Sequence, residues 1–295
     1  AEVNRRRRLK HKEKQMLAKN LNLNDKLRKT LGEWNDGITV SLTDSGKEYT
    51  VKGDDRLTEH DKLIRVTDVL GIIDKFALRT WAMNMALDYV RDNLFETIRK
   101  KENPPSDALE LVLQDAALAH ENKRDTAATF GSDAHDLLQR LAIDPDAYVD
   151  KKFDTVVNSW RQFMSDSKLE IIGTEISFYH HALDISFAGT ADLVAIDPDG
   201  NIVIADYKTG ARLYPETCLQ LSAYVMGLDF CIGNEIKKFD PNYYRNVRAL
   251  AIRLPKTEDD SIEVKEVKNI PYHKEEFIHA YKLKAWQSFR NKWAR

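Results

Sequence analysis

The sequence is poor in cysteine: Cys218 and Cys231 are the only two among 295 residues. Two cysteines give no disulfide framework, and they are too few for a structural zinc site or an iron–sulfur cluster built from cysteine alone. A reducing, cytoplasmic compartment is therefore expected. No run of 18 or more apolar residues occurs, which excludes a membrane-spanning helix. The opening stretch is basic and lacks the apolar core of a signal peptide, so no secretory leader is expected. The ATP-binding pattern G-x-x-x-x-G-K-[ST] is missing. Ser45-Gly46-Lys47 has Ser41 where the first glycine would stand, so no ATP-driven motor is expected. His120-Glu121 and His180-His181 lack the second half of any zinc motif, and no internal repeat is visible.

What is present is a globular composition, 42% hydrophobic and 31% charged, with enough chain for a sizeable core. The net charge of −2 conceals an asymmetry. Residues 1–35 hold eleven Lys/Arg against four Asp/Glu, a net of +7, which leaves −9 on the remainder. A basic arm of this kind meets phosphates in many proteins; the same run also fits a solvated tail.

Residues 4–34 read as helix, and 37–53 as a hairpin of alternating apolar residues around Asp44-Ser-Gly46. Thr67 or Asp68 is placed to cap a short helix, and Asp74 a longer one with Leu78, Trp81, Met85 and Tyr89 on one face. Phe76, Trp81 and Tyr89 are candidates for stacking on single-stranded bases, though their helical spacing fits core packing better for most of them. After the break at Asn103-Pro-Pro-Ser106, helices are expected over Ser106–His120 and Thr126–Leu141. Strands follow at 168–179, 184–196 and 201–208, then a helix at 216–228, strands at 247–254 and 261–267, and a closing helix from His273. Helices first, then a mixed sheet with helices on it, reads as α/β or α+β.

Strands 184–196 and 201–208 flank Asp197-Pro-Asp-Gly200, a turn with fixed φ followed by free φ. With the loop at Pro198–Gly200, the register places Asp192 opposite Asp206, and the two-residue period puts Lys208 on the Asp206 face. Two facing carboxylates repel unless a cation lies between them, and hard oxygen donors favour Mg²⁺ or Mn²⁺. Asp-x-Lys alone is a weak pattern that an exposed ion pair also fits. Its setting is not weak: Ile202-Val-Ile-Ala205 is the apolar run of a strand covered on both faces.

These residues resemble a known family. Phe187-Ala-Gly189-Thr-Ala-Asp192-Leu, Ile204-Ala-Asp206-Tyr-Lys208-Thr-Gly210 and Gln220-Leu-Ser-Ala-Tyr224 resemble the RecB-like branch of the PD-(D/E)XK nucleases. Gly131-Ser-Asp-Ala-His135 resembles that branch's helical histidine motif, and Val66-Thr-Asp-Val-Leu-Gly71 with Lys75-Phe-Ala-Leu78 the opening of phage-type members. The resemblance implies a restriction-endonuclease-like α/β core, a mixed central sheet flanked by helices. It implies a basic helical extension over 1–36 and one nuclease domain over 37–295. Within that domain, a helical and hairpin part covers about 37–145, and a catalytic core about 165–295.

It further implies that Asp192, Asp206 and the Tyr207 carbonyl hold Mg²⁺ or Mn²⁺, that Lys208 serves the attacking water, and that His135 reaches the metal from its helix. Gln220 and Tyr224, one helical turn apart, are expected near the site or DNA, and Glu175 near metal-bound water or DNA. Lys123 and Arg124 are expected on phosphates. From the residues alone, His135 and Tyr224 also fit plain core positions, and Glu175 and Gln220 plain surface ones. The implied activity is a metal-dependent DNA nuclease of phage or bacterial type, working in DNA processing, recombination or repair without ATP. An exonuclease acting on single-stranded ends is expected ahead of a structure-specific endonuclease or a non-catalytic binding module. The branch's iron–sulfur members need four cysteines, so no iron–sulfur cluster is expected here.

Overall fold

The structure, a computed structural model, describes residues 38–43, 48–58, 63–74, 76–99, 108–182, 184–232 and 247–293. The expected helix at 4–34, the hairpin tip and the 103–106 break lie outside the described residues. The chain divides into two compact units, 1–72 with 134–295, and 73–133.

The larger unit is mixed α/β. Strands β1 (Thr39–Leu42) and β2 (Tyr49–Lys52) form an antiparallel hairpin, with Val40 opposite Val51. Among the described residues the main sheet has six strands: β3 (Ile64–Arg65), β4 (Glu170–Ala182), β5 (Ile185–Ile196), β6 (Ile202–Lys208), β7 (Val247–Arg253) and β8 (Glu263–Glu266). Helix α1 (Val66–Leu70) follows β3 directly. It starts one residue before Thr67, and Arg65 occupies its N-cap without a side-chain bond. Asp68 is no cap, because its carboxylate takes the Arg65 guanidinium at 2.7 Å.

Strand β5 organises the sheet. One edge pairs with β4 along its whole length. The other edge is shared: β3 runs parallel to Phe187–Ala188, and β6 antiparallel to Leu193–Ile196. Asp192 falls between these two partners. Strand β6 leaves β5 after Ala205 and continues on β7 alone, from Asp206↔Ala251 to Lys208↔Arg253. The sheet thus forks where β5 carries Asp192 and β6 carries Asp206.

The turn at 197–200 fixes that register. The Asp197 side chain accepts from the N–H groups of Asp199 and Asn201, and Gly200 has φ 82°. The parallel β6–β7 pair needs a crossover, supplied by helix α5 (Glu216–Ile232).

Around the sheet lie the end of helix α3 (Ala108–Ile143), helix α4 (Asp154–Ser167), α5 and helix α6 (Ile270–Trp293). Phe178, Phe187, Leu193, Ile204, Leu221, Leu228, Ile252 and Phe277 are almost wholly buried and form the core. Burial at about 25 cal/mol per Å² of apolar surface is the main force holding helices to sheet.

Three helices depart from expectation. The helices expected over Ser106–His120 and Thr126–Leu141 are, from Ala108 on, one helix, α3. Glu121–Asp125 holds no glycine or proline, and the Thr126 and Thr129 hydroxyls bond back to the Asn122 and Asp125 carbonyls instead of capping a new start. Helix α4 has no counterpart among the expected elements. Helix α6 begins three residues before His273, because Pro271 sits in its first turn, where a missing N–H is harmless.

The smaller unit holds helix α2 (Phe76–Arg99) and the first part of α3. Tyr89 donates to Asp115 at 3.3 Å, and Lys123 Nζ lies 3.9 Å from Met85 Sδ. Trp81, Met85 and Tyr89 are half-buried, whereas Leu78 is exposed. Among the described residues, no helix is long and apolar enough to cross a membrane.

Candidate metal centre

The fork in the sheet is where the polar residues gather. Asp192 and Asp206 are buried, at 7% and 2% exposure, on strands made mostly of apolar residues. Extending the pair Leu193↔Ala205 by one residue puts the two aspartates opposite each other, as the turn chemistry predicts.

Asp192 Oδ2 accepts from the Tyr207 N–H at 2.5 Å, and Oδ1 lies 3.4 Å from His135 Nδ1. Asp206 Oδ1 accepts from Gln220 Nε2 at 2.9 Å, and the same nitrogen approaches the Tyr224 hydroxyl at 2.6 Å. Asp206 Oδ2 lies 2.5 Å from Lys208 Nζ, but the ammonium is off the direction of a well-formed hydrogen bond. Gln220 and Tyr224 share one face of α5, turned toward Asp206. Tyr207 turns to the opposite face of β6, where its hydroxyl accepts from Trp160 Nε1 at 2.8 Å.

Glu175 enters more directly than the sequence foretold. The pairs Thr174↔Leu193 and Ile176↔Ala191 bracket it, so its register position faces Asp192. Its backbone is left-handed, φ 51°, which is strained for a glutamate. His135, Glu175 and Asp192 each present one donor atom, and the three atoms lie within 4.8 Å of one another.

The electrostatics follow from this crowding. Burial and then the Asp192 carboxylate push Glu175 up to about 7. Burial alone would lower His135, but Asp192 first and then Asp206 and Glu175 overcome it and lift the imidazole to about 9. Burial also raises Asp206, against the pull of the Lys208 ammonium. Burial opposes the charge on Lys208, and Asp206 and Asp192 overcome that and keep it an ammonium. Buried carboxylates that repel one another mark a site whose charge a cation would balance. The donor set, carboxylate oxygens with one imidazole nitrogen, fits a divalent metal ion.

Lys123 and Arg124 belong to the smaller unit, where both are exposed and Arg124 pairs with its neighbour Asp125 at 3.0 Å. Sequence reading missed Trp160. Its signal is present: Val156, Val157, Trp160 and Met164 recur at helical spacing, and the first three are buried.

No curated protein matches the chain. Among solved structures, one described as SSO0001 matches at 12% identity with a TM-score of 0.32, covering 76% of this chain and 79% of that one. Similarity at that level bears on neither fold nor chemistry. A family model described as the PD-(D/E)XK nuclease superfamily matches residues 108–294, more than half of the chain and the whole of the candidate metal cluster. The chain belongs to the PD-(D/E)XK nuclease superfamily.

Proposed function

We propose that the chain is a Mg²⁺- or Mn²⁺-dependent deoxyribonuclease of the RecB-like branch, acting as an exonuclease on DNA with a single-stranded end. The observation that supports this most is the meeting of His135, Glu175 and Asp192 donors beside the Asp206–Lys208 pair at one fork of the sheet. Asp192, Asp206, His135 and the Tyr207 carbonyl would hold the cation, with Glu175 facing it directly or through water. When bound, the cation supplies a Lewis acid that neutralises charge on the phosphodiester as water displaces one ester oxygen in line.

The chain's own residues do the rest. A charged Lys208 donates hydrogen bonds and cannot take a proton, so it orients the attacking water and steadies charge on the phosphate. Gln220 holds Asp206 Oδ1 and fixes the direction of the other oxygen. Lys123 and Arg124 are available to phosphates along the strand, and the basic segment 1–36 adds a sequence-independent attraction.

The test is loss of end-labelled DNA with and without Mg²⁺, wild type against Lys208→Ala. Metal-dependent loss by the wild type, down about 100-fold or more in the variant, supports the assignment. Equal degradation by both overturns it. Cleavage of closed circular single-stranded DNA replaces the exonuclease with an endonuclease. No degradation on any end, strand or metal leaves a binding module of the same fold.

A further inference from the structure

Helix α4 contributes no donor to the His135, Glu175 and Asp192 cluster, yet one of its side chains reaches the back of it. Trp160 and Tyr207 are both buried, at 6% and 3% exposure. An indole N–H can only donate and a buried phenol needs a partner, so their 2.8 Å bond satisfies both polar atoms at once. Tyr207 has three attachments. Its hydroxyl is fixed by Trp160, its ring meets the His135 ring edge-on at 6.1 Å between centroids, and its N–H holds Asp192 Oδ2. That last bond decides which Asp192 oxygen is occupied, leaving Oδ1 beside His135. Helix α4 also runs into β4, the strand of Glu175, through Lys168 in a left-handed turn, φ 53°. One hydrogen bond therefore ties helix α4, which leads into the Glu175 strand, to β6, whose Tyr207 lies against Asp192 and His135.

We propose that Trp160 is a positioning residue for the metal centre: through the Tyr207 hydroxyl it sets the spacing of the His135, Glu175 and Asp192 donors. This rests on the metal-centre reading above. Groups that orient ligands without touching the ion change metal affinity by about 10–100-fold when removed.

The experiment is calorimetric titration of Mn²⁺ into the full-length wild type, Trp160→Phe, Tyr207→Phe and the double variant. Tyr207→Phe removes one oxygen and leaves the ring packing, so it reports even if Trp160→Phe folds poorly. Each single variant is expected to bind Mn²⁺ about tenfold more weakly. The double variant should be no weaker than the singles, because all three break the same bond. In DNA hydrolysis, Trp160→Phe should raise the Mn²⁺ concentration for half-maximal rate about tenfold, with the rate at saturating Mn²⁺ held within about twofold. A merely structural Trp160 would lower Tm and leave Mn²⁺ affinity unchanged, and that result overturns the proposal. A wild type that binds no Mn²⁺ overturns the metal centre itself, and this proposal with it.

Discussion

At the scale of single residues, Glu175 shows a conflict between folding and the cluster. A non-glycine residue in the left-handed region costs about 1–2 kcal/mol, and its carboxyl is pressed against that of Asp192. Both penalties disappear in Glu175→Gly. We expect that variant, free of metal, to be more stable by about 1 kcal/mol, after the entropy a glycine loses in a strand. We also expect Mn²⁺ to raise its Tm less than it raises that of the wild type. Thermal denaturation in chelator and in Mn²⁺ measures both. A metal-free variant less stable than wild type would remove the strain argument, and an undiminished Mn²⁺ shift would remove Glu175 from the cluster. The sequence could not show this tension. Asp192, Asp206 and Lys208 are legible because a Pro-Asp-Gly turn sets the register of two adjacent strands. Glu175 depends on β4, whose pairing carries an irregularity between Ile171 and Gly173 that no short pattern encodes.

At the scale of elements, contacts with the sheet hold the β1–β2 hairpin and α5 in place. Tyr49 of β2 shares a hydrogen bond with Thr190 at 2.8 Å. Just beyond β2, Asp54 accepts from the Tyr179 hydroxyl at 2.6 Å and pairs with Arg56 at 2.7 Å. The Arg56 hydrogen bond, against a smaller opposing effect of burial, lowers Asp54 to about 2 from its ordinary 3.8. A depressed carboxyl stabilises the fold above pH 3.8, and that stabilisation is lost as pH falls through 2. Arg56 is 58% exposed, which screens the pair, so Asp54→Asn should reduce stability by only about 1 kcal/mol at pH 7. The difference from wild type should shrink as pH falls from 3.8 through 2; a difference that stays undiminished over that range would show that the carboxylate's charge is not what matters.

Helix α5 approaches β4 at Gly227, where an added Cβ would lie 2.2 Å from the buried Phe178 ring. Phe178 in turn packs edge-on against Tyr224, 5.1 Å between centroids. Gly227→Ala should therefore cost about 1–3 kcal/mol by overpacking and displace Tyr224 and Gln220 from Asp206. Urea denaturation checks the first expectation: a neutral change would mean that the ring moves aside freely. The strands and α5 are legible from periodicity and turn residues. The single long α3 is not, since a polar band reads as a break until the threonine hydroxyls are seen bonding backward along one helix. Helix α4 has the apolar spacing, but it lies between a proline-containing loop and a strand, where a short amphipathic stretch is easily read as connection.

At the scale of the whole molecule, the charge is divided between an acidic remainder and a basic first segment, +7 over residues 1–35 against −9 elsewhere. A metal centre lined with carboxylates repels a polyanion at a distance, and an attached cationic segment offsets that repulsion. Its contribution should appear in the salt dependence of binding. Each phosphate neutralised by a lysine or arginine contributes about 0.7 to the slope of log K against log salt on single strands, and about 0.9 on duplex. Deleting residues 1–36 in a Lys208→Ala background should weaken binding of a labelled single strand. It should also flatten that slope by about 0.7 for every phosphate no longer neutralised, without moving the Mn²⁺ affinity of the centre. Fluorescence anisotropy over a salt series measures the slope. A deletion that weakens binding equally at every salt concentration would assign the segment a role other than phosphate neutralisation. One that leaves binding unchanged would place the whole DNA path on residues 37–295.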